Sequence, residues 1–187
     1  MDSQPKIIIL NGVSSVGKST LARAVQNASR LPFLHVSLDA FLAMIPARLF
    51  DHPDGIAFRT LEADGPPVTE VTTGPIVDRM LRGIPSAVAA LAAAGNNIIV
   101  DEVFFRGGER QGYADAFADF DVVFVGLFAP LDVVEARERA RGDRDIGLAR
   151  WQYDRVHAGQ TYDLEIDTGE ASAAEAARTL CECLNIT

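Results

Sequence analysis

The chain has 187 residues, 48% of them hydrophobic, and its 26 acidic against 17 basic side chains give a net charge of −9. This length suits one core, so we expect a single domain over residues 1–187. This net negative charge argues against a nucleic-acid partner, because nucleic-acid binding requires a basic surface.

The N-terminal residues, MDSQPK, lack the basic head of a signal peptide, and every apolar run is too short to cross a membrane. We therefore expect a cytoplasmic protein with no membrane partner. Cys181 and Cys183 lie two apart in a predicted helix, where they face different directions, so neither a disulfide nor a metal site is expected there. The sequence leaves open whether the chain forms a homo-oligomer.

Apolar runs of strand length alternate with segments of helix-forming residues along the chain. In chain order the pattern predicts a strand at 7–10, a helix at 19–29, a strand at 33–38, a helix at 85–95, a strand at 97–101, a strand at 122–128, a helix at 130–142, a strand at 163–167 and a helix at 172–184. Consecutive apolar positions indicate strands that are covered on both faces. The alternation predicts an α/β three-layer domain with a parallel sheet.

One long stretch, residues 47–75, is rich in proline, glycine and acids and shows no clear periodicity. A connection of this length is typical of a lid or a binding loop, and the alternative is a flexible insertion. We expect substrate-binding or lid insertions at about 40–80 and at 137–150. Aromatic and aliphatic side chains in the first of these predict an apolar acceptor pocket, although a core role for some is equally compatible: Phe41, Met44, Ile45, Phe50 and Phe58.

Residues 12–19, GVSSVGKS, fit G-x-x-x-x-G-K-[ST], and they lie between a predicted strand and a predicted helix. The two glycines let successive backbone N–H groups turn toward an anion, and the helix N-terminus adds the positive end of its dipole. Lys18 supplies a full charge for the outer phosphates, and Ser19 supplies a hydroxyl for Mg²⁺. The predicted nucleotide-binding residues are Gly12, Ser14, Ser15, Val16, Gly17, Lys18, Ser19 and Thr20.

An acidic pair, Asp101 and Glu102, ends the predicted strand at 97–101. Asp101 is placed to hold the water shell of Mg²⁺, together with Ser19. Glu102 is ambiguous, because an acid at that position also orients the attacking water in many ATPases. The short chain and the absence of an N-K-x-D sequence nevertheless favour a kinase over a motor ATPase or a GTPase.

Asp39 closes the predicted strand at 33–38, at the sheet edge where open α/β sheets bind ligands. We predict that it orients the acceptor hydroxyl and takes its proton late in the reaction, and a helix N-cap role is compatible with this. Arg137 and Arg141 share one helix face, and Arg144 follows a Gly-Asp pair. We predict that these three arginines form a lid that neutralises phosphate charge, the alternative being a solvated, ion-paired helix.

With these residues assembled, the chain resembles the chloramphenicol phosphotransferase family, small P-loop kinases, in segments such as IIILNGVSSVGKS, EARERARGDR and YDLEIDT. The resemblance implies a P-loop NTPase fold with a five-stranded parallel sheet of order 2-3-1-4-5. It also implies ATP-dependent phosphorylation of a small-molecule hydroxyl, with chloramphenicol or another antibiotic among the candidate acceptors. The family's catalytic aspartate matches Asp39, and its lid arginines match Arg137, Arg141 and Arg144. The alternative function is a nucleotide-binding regulator or slow ATPase without such an acceptor.

Overall fold

The structure, a computed structural model, describes residues 4–61, 65–142 and 145–187. Its strands are β1 (Lys6–Asn11), β2 (Phe33–Ser37), β3 (Ile56–Leu61), β4 (Val68–Thr73), β5 (Asn97–Glu102), β6 (Asp121–Phe128) and β7 (Leu164–Asp167). Its helices are α1 (Lys18–Ala28), α2 (Leu38–Leu42), α3 (Pro75–Ala93), α4 (Glu109–Ala116), α5 (Leu131–Arg141), α6 (Leu148–Tyr153) and α7 (Ala173–Cys183), with a 3-10 turn at Ala47–Leu49.

Five parallel strands form the main sheet of the described chain, in the order β2-β5-β1-β6-β7. With β3 and β4 left out of the count, this order reads 2-3-1-4-5. The first strand lies in the centre, where Ile8 pairs with Ile99 of β5 on one side and with Val123 of β6 on the other. The predicted α/β class with a five-stranded parallel sheet is confirmed.

The central strand contributes to apolar cores on both faces of the sheet, because successive side chains of a strand point to opposite faces. Ile8 and Leu10 pack with residues of α1 and α7, whereas Ile7 and Ile9 pack with residues of α3 and α4. All four side chains are essentially inaccessible to solvent. Burying a side chain of this size contributes about 1.5–3 kcal/mol, so this one strand holds both helix layers against the sheet.

The hairpin in the middle of the chain was not predicted from the sequence, and the predicted start of α3 was wrong. The stretch 47–75 contains an antiparallel hairpin, β3–β4, in which Phe58 pairs with Val71. The helix predicted to begin at Pro85 begins at Pro75, and Pro85 lies inside it. Proline removes one helical hydrogen bond, but the buried positions Ile84 and Val88 beside it pack into the core, and this packing maintains the helix.

Candidate functional site

The site lies at the carboxyl edge of the main sheet, where β1, β2 and β5 all end. The loop from Gly12 to Gly17 leaves β1 there and leads directly into α1. Parallel strands that end together bring the loops and helices that follow them to one edge, which is where open α/β sheets bind ligands. Sequence-distant side chains therefore meet around the loop at residues 12–17, called the phosphate loop below.

Both glycines of the phosphate loop are required by its geometry. Gly17 has φ 107°, a left-handed conformation that other residues adopt only with strain. A Cβ on Gly12 would lie 2.8 Å from the carbonyl oxygen of Leu127 and 2.9 Å from Cγ1 of Val16. Ser15 also has a positive φ, of 62°, and its buried hydroxyl has no hydrogen-bond partner. The loop is thus held in a conformation that turns its backbone inward.

The ammonium group of Lys18 lies across the mouth of this loop. Its Nζ donates to the carbonyl oxygens of Gly12 and Val13, at 2.9 Å each, and lies 3.9 Å from Oδ1 of Asp101. Lys18 is only 7% exposed. A buried ammonium group at the mouth of the loop is well placed to donate hydrogen bonds to anionic oxygens.

Two oxygen groups suited to a magnesium ion meet beside Lys18. The Ser19 hydroxyl donates to Oδ2 of Asp101 at 2.5 Å, and His35 Nε2 lies 3.5 Å from the same oxygen. Burial by itself raises the pKa of Asp101, but the His35 imidazole, the Lys18 ammonium and the Ser19 hydroxyl together hold that pKa below its usual value. An ionised carboxylate next to a hydroxyl fits the hard-oxygen preference of Mg²⁺.

The described residues contain no cluster of three or more His, Cys, Asp or Glu side chains that could hold a metal alone. Mg²⁺ characteristically binds through one or two protein oxygens plus substrate phosphates and water. Ser19 and Asp101 therefore suit a magnesium ion that arrives with a nucleotide rather than a resident metal.

Glu102 points into the core side of the site and is fully engaged there. The Tyr113 hydroxyl donates to its Oε1 at 2.8 Å, and Val103 N–H donates to its Oε2 at 3.0 Å. Burial raises the pKa of Glu102 to about 7, and these hydrogen bonds oppose that rise. Each oxygen already accepts one hydrogen bond, so Glu102 joins β5 to α4 while it also lines the cavity.

Asp39 lies on the rim of the cavity that contains the phosphate loop. It does not close β2, as the sequence suggested, since the strand ends at Ser37 and Asp39 lies in the first turn of α2. The N-cap is Ser37, whose hydroxyl accepts from Ala40 N–H. Asp39 is exposed and faces the same cavity as Lys18 and Asp101.

The lid arginines are positioned by α5. Arg137 donates to the carbonyl oxygens of Thr168, at 2.7 Å, and of Val16, at 3.3 Å, so it joins the phosphate loop to the segment after β7. Arg141 lies one turn later and also lines the cavity. Arg144, the third predicted arginine, lies outside the described residues.

The cavity around these groups has a volume of about 1530 Å³, which exceeds the roughly 300–1,000 Å³ of a typical single-ligand site. One part is lined by the phosphate loop, Arg137, Arg141 and Ala171–Ala173, and another by apolar side chains, namely Leu42, Ile56, Phe58, Val71, Leu81, Phe105 and Leu148. The volume and its two kinds of wall suit two ligands bound side by side.

Of the side chains predicted to form the apolar pocket, Phe58 lines this cavity. Phe41 and Ile45 instead pack against the core, and Met44 and Phe50 are exposed, Met44 to 64%. The apolar wall thus lies within the predicted region 40–80, but the hairpin residues Ile56 and Val71 contribute to it instead of the earlier side chains. The contact of His35 with Asp101 was not predicted from the sequence.

Among the described residues, no helix is long and apolar enough to span a bilayer. Cys181 is buried and Cys183 exposed, in agreement with their predicted placement on different helix faces.

A protein family and several relatives match this chain in sequence. The model of the family described as "Chloramphenicol phosphotransferase-like protein" matches residues 5–185. Two Mycobacterium tuberculosis proteins, from the strains CDC 1551 and H37Rv, are each 34% identical over 185 residues, which is 95% of this chain and 81% of the relative. Both relatives are provisionally named O-phosphotransferases.

Solved structures of other proteins, two kinases among them, share the fold. A Mycobacterium tuberculosis APS kinase in complex with AMPPNP and APS has a TM-score of 0.67 at 18% identity, covering 97% of this chain and 98% of its own. A sugar kinase from Janibacter sp. has a TM-score of 0.67 at 19% identity, covering 98% and 96%. A tunicamycin resistance protein of Deinococcus radiodurans has a TM-score of 0.64 at 18% identity, covering 98% of each chain. The predicted P-loop kinase fold is confirmed.

Proposed function

Because the chain belongs to the chloramphenicol phosphotransferase-like family, we propose that it is an O-phosphotransferase that moves the γ-phosphoryl group of ATP to a hydroxyl of a small molecule. The observation that carries this proposal is the joint cavity. A phosphate loop, the Ser19–Asp101 pair proposed to hold Mg²⁺ and Asp39 all line it, and part of its lining is apolar. Neither nucleotide binding alone nor ATP hydrolysis alone requires that apolar wall.

In this proposal the phosphate loop and Lys18 bind the triphosphate. The loop supplies inward-facing N–H groups, and the ammonium group exchanges its carbonyl partners Gly12 and Val13 for β- and γ-phosphate oxygens. Ser19 and Asp101 would hold Mg²⁺, which neutralises charge on those phosphates when it is bound. Each group is already at the mouth of the loop, so binding needs only local rearrangement.

Asp39 is the proposed acceptor-orienting group. A carboxylate is too weak a base to deprotonate an alcohol beforehand, so Asp39 accepts a hydrogen bond from the hydroxyl and takes its proton as the new O–P bond forms. The phosphoryl group leaves ADP in the same step. Arg137 and Arg141 line the same cavity, where a guanidinium can neutralise phosphate charge.

The acceptor side of the cavity suits a molecule with an apolar body and a hydroxyl group. Ile56, Phe58 and Val71 of the hairpin form this wall together with Phe105. Burial of apolar surface there would contribute about 25 cal/mol per Å² to acceptor binding. Chloramphenicol is the first compound to test, because the description of the family names a chloramphenicol phosphotransferase. Other hydroxylated antibiotics are tested next.

The experiment measures transfer of label from γ-labelled ATP to a panel of hydroxylated antibiotics that includes chloramphenicol, in the presence of Mg²⁺. We expect one labelled product, dependent on Lys18. Asp39→Asn should lower transfer by about 10² to 10⁴ and leave ATP affinity nearly unchanged. Asp115→Asn is the matched control, because this substitution also removes one carboxylate from the lining of the cavity.

Two results would contradict the proposal. Label that appears only as free phosphate, at the same rate with every compound, would support a slow ATPase or a nucleotide-binding regulator. Equal transfer by Asp39→Asn and the wild type would assign acceptor orientation to another residue.

A further inference from the structure

Gln152, in α6, contacts the phosphate loop from the acceptor side of the cavity. Ser14 N–H donates to Oε1 of Gln152 at 2.6 Å, and Gln152 is only 5% exposed. A backbone N–H can only donate, so the amide oxygen must face Ser14 and the NH₂ group carries the remaining donors. Gln152 also lines the cavity. The buried Gln152 amide therefore lies at the loop. Its oxygen accepts from Ser14, and its NH₂ group is bonded to the same carbon atom and lies close to the loop as well.

The helix that carries Gln152 is fixed to the arginine helix α5. Glu138, 1% exposed, accepts from Gly147 N–H at 2.7 Å and from Ala149 N–H at 2.8 Å, and so caps the start of α6. Arg150 forms an ion pair with Glu135 at 2.5 Å. These contacts hold α6 in one orientation, and a side chain on such a helix is pre-organised.

The helix α6 also forms part of the acceptor wall. Leu148 and Trp151 pack in the same apolar cluster as hairpin residues of β3 and β4. The backbone is joined there too, since Thr69 N–H donates to Gly147 O at 3.1 Å and the Thr69 hydroxyl donates to Ile146 O at 2.8 Å. Gln152 therefore stands between the phosphate loop and the part of the cavity that receives the acceptor.

This position defines which phosphate Gln152 would meet. In-line transfer requires the terminal phosphoryl group to point from the loop toward the acceptor, so that group, and not the β-phosphate, faces α6. We propose that Gln152 recognises the γ-phosphoryl group: its oxygen fixes the turn at Ser14, and its NH₂ group donates to a γ-phosphate oxygen. The inference rests on the proposed function, because it assumes a triphosphate that points toward an acceptor.

The test compares binding of ADP and of the ATP analogue AMP-PNP, each with Mg²⁺, by calorimetry. Losing a hydrogen bond to a charged group should weaken AMP-PNP binding about tenfold to a hundredfold more than ADP binding in Gln152→Leu. Gln152→Glu keeps an oxygen for Ser14 and replaces the donor by a negatively charged oxygen. In that variant the Ser14 amide signal in a ¹H–¹⁵N NMR spectrum should stay near its wild-type position while AMP-PNP affinity still falls.

Gln26→Leu is the matched control. The Gln26 side chain also bonds to a backbone group, Phe33 O at 2.9 Å, but it does not line the cavity. This variant should bind both nucleotides like the wild type. If Gln152→Leu does not fold, as the NMR spectrum will show, Gln152→Glu alone decides the question.

An unchanged ratio of ADP to AMP-PNP affinity in the Gln152 variants would overturn the inference. That result leaves the proposed function standing, as long as the wild type binds nucleotide and transfers label. A wild type that binds neither nucleotide, or binds both without dependence on Lys18, would remove the proposed function and the inference together.

Discussion

Removal of the Glu138 carboxylate should loosen α6 and weaken nucleotide binding at a distance. The carboxylate is buried and accepts two backbone hydrogen bonds, from Gly147 and Ala149, both of which are themselves buried. A hydrogen bond to a charged group contributes about 1.5–3 kcal/mol, and Glu138→Ala leaves both donors without that acceptor. We expect a loss of about 3–5 kcal/mol, and about half of that for Glu138→Gln, which keeps one acceptor oxygen.

The assay is urea unfolding followed by two probes. Trp151, the single tryptophan of the chain, lies in α6 and reports on that helix by fluorescence, whereas circular dichroism reports on the whole fold. In Glu138→Ala the fluorescence transition should occur at lower urea than the dichroism transition, and AMP-PNP affinity should fall, because α6 carries Gln152. Glu175→Ala is the control, since Glu175 also caps a helix but is exposed. Coincident transitions within about 1 kcal/mol of the wild type would refute this reasoning.

Three further outcomes follow from the geometry. Gly12→Ala should lower nucleotide affinity at least about tenfold in calorimetry, because its Cβ would lie 2.8 Å from Leu127 O and the loop must shift; wild-type affinity would contradict this. Burial lowers the pKa of His157 to about 4, so the unfolded chain binds the proton more tightly and stability falls as pH drops from 6.5 toward 4. His157→Phe should remove about 2 kcal/mol of that dependence, after allowance for the exposed part of the ring, and an unchanged slope of urea stability against pH would oppose it. Glu102→Gln should keep label transfer within about tenfold, since both Glu102 oxygens face structural partners, whereas a loss of more than about a hundredfold would give Glu102 a chemical role.

The parts of the fold that the sequence predicted are those encoded locally. The buried strands are recognisable as runs of consecutive apolar residues, as at 7–10, because a strand that is covered on both faces has no solvent-facing side chains. The phosphate loop is equally local, since its glycines and Lys18 serve one continuous backbone turn. Such features depend on neighbours within a few residues, and a pattern can reveal them.

The parts that escaped prediction depend on contacts between distant residues. The short helix α6 has six residues, too few for a periodic signal, and its start is capped by Glu138 of another helix. Gln152 meets Ser14 across 138 positions, so no spacing rule points to it. Pro85 illustrates the converse, since a local rule predicted a helix start and the packing of α3 overrode it.

The hairpin β3–β4 forms a sheet of its own and shares no strand pairing with the five-stranded sheet in the described chain. Side chains of Ile56, Phe58 and Val71 can therefore be exchanged without altering the backbone ladder that carries Asp101 and leads into the phosphate loop. In the proposed reaction, this division separates the wall that would select the acceptor from the sheet edge that would hold the donor. Grafting residues 56–73 from a relative is accordingly the direct route to a new chemical preference within this scaffold.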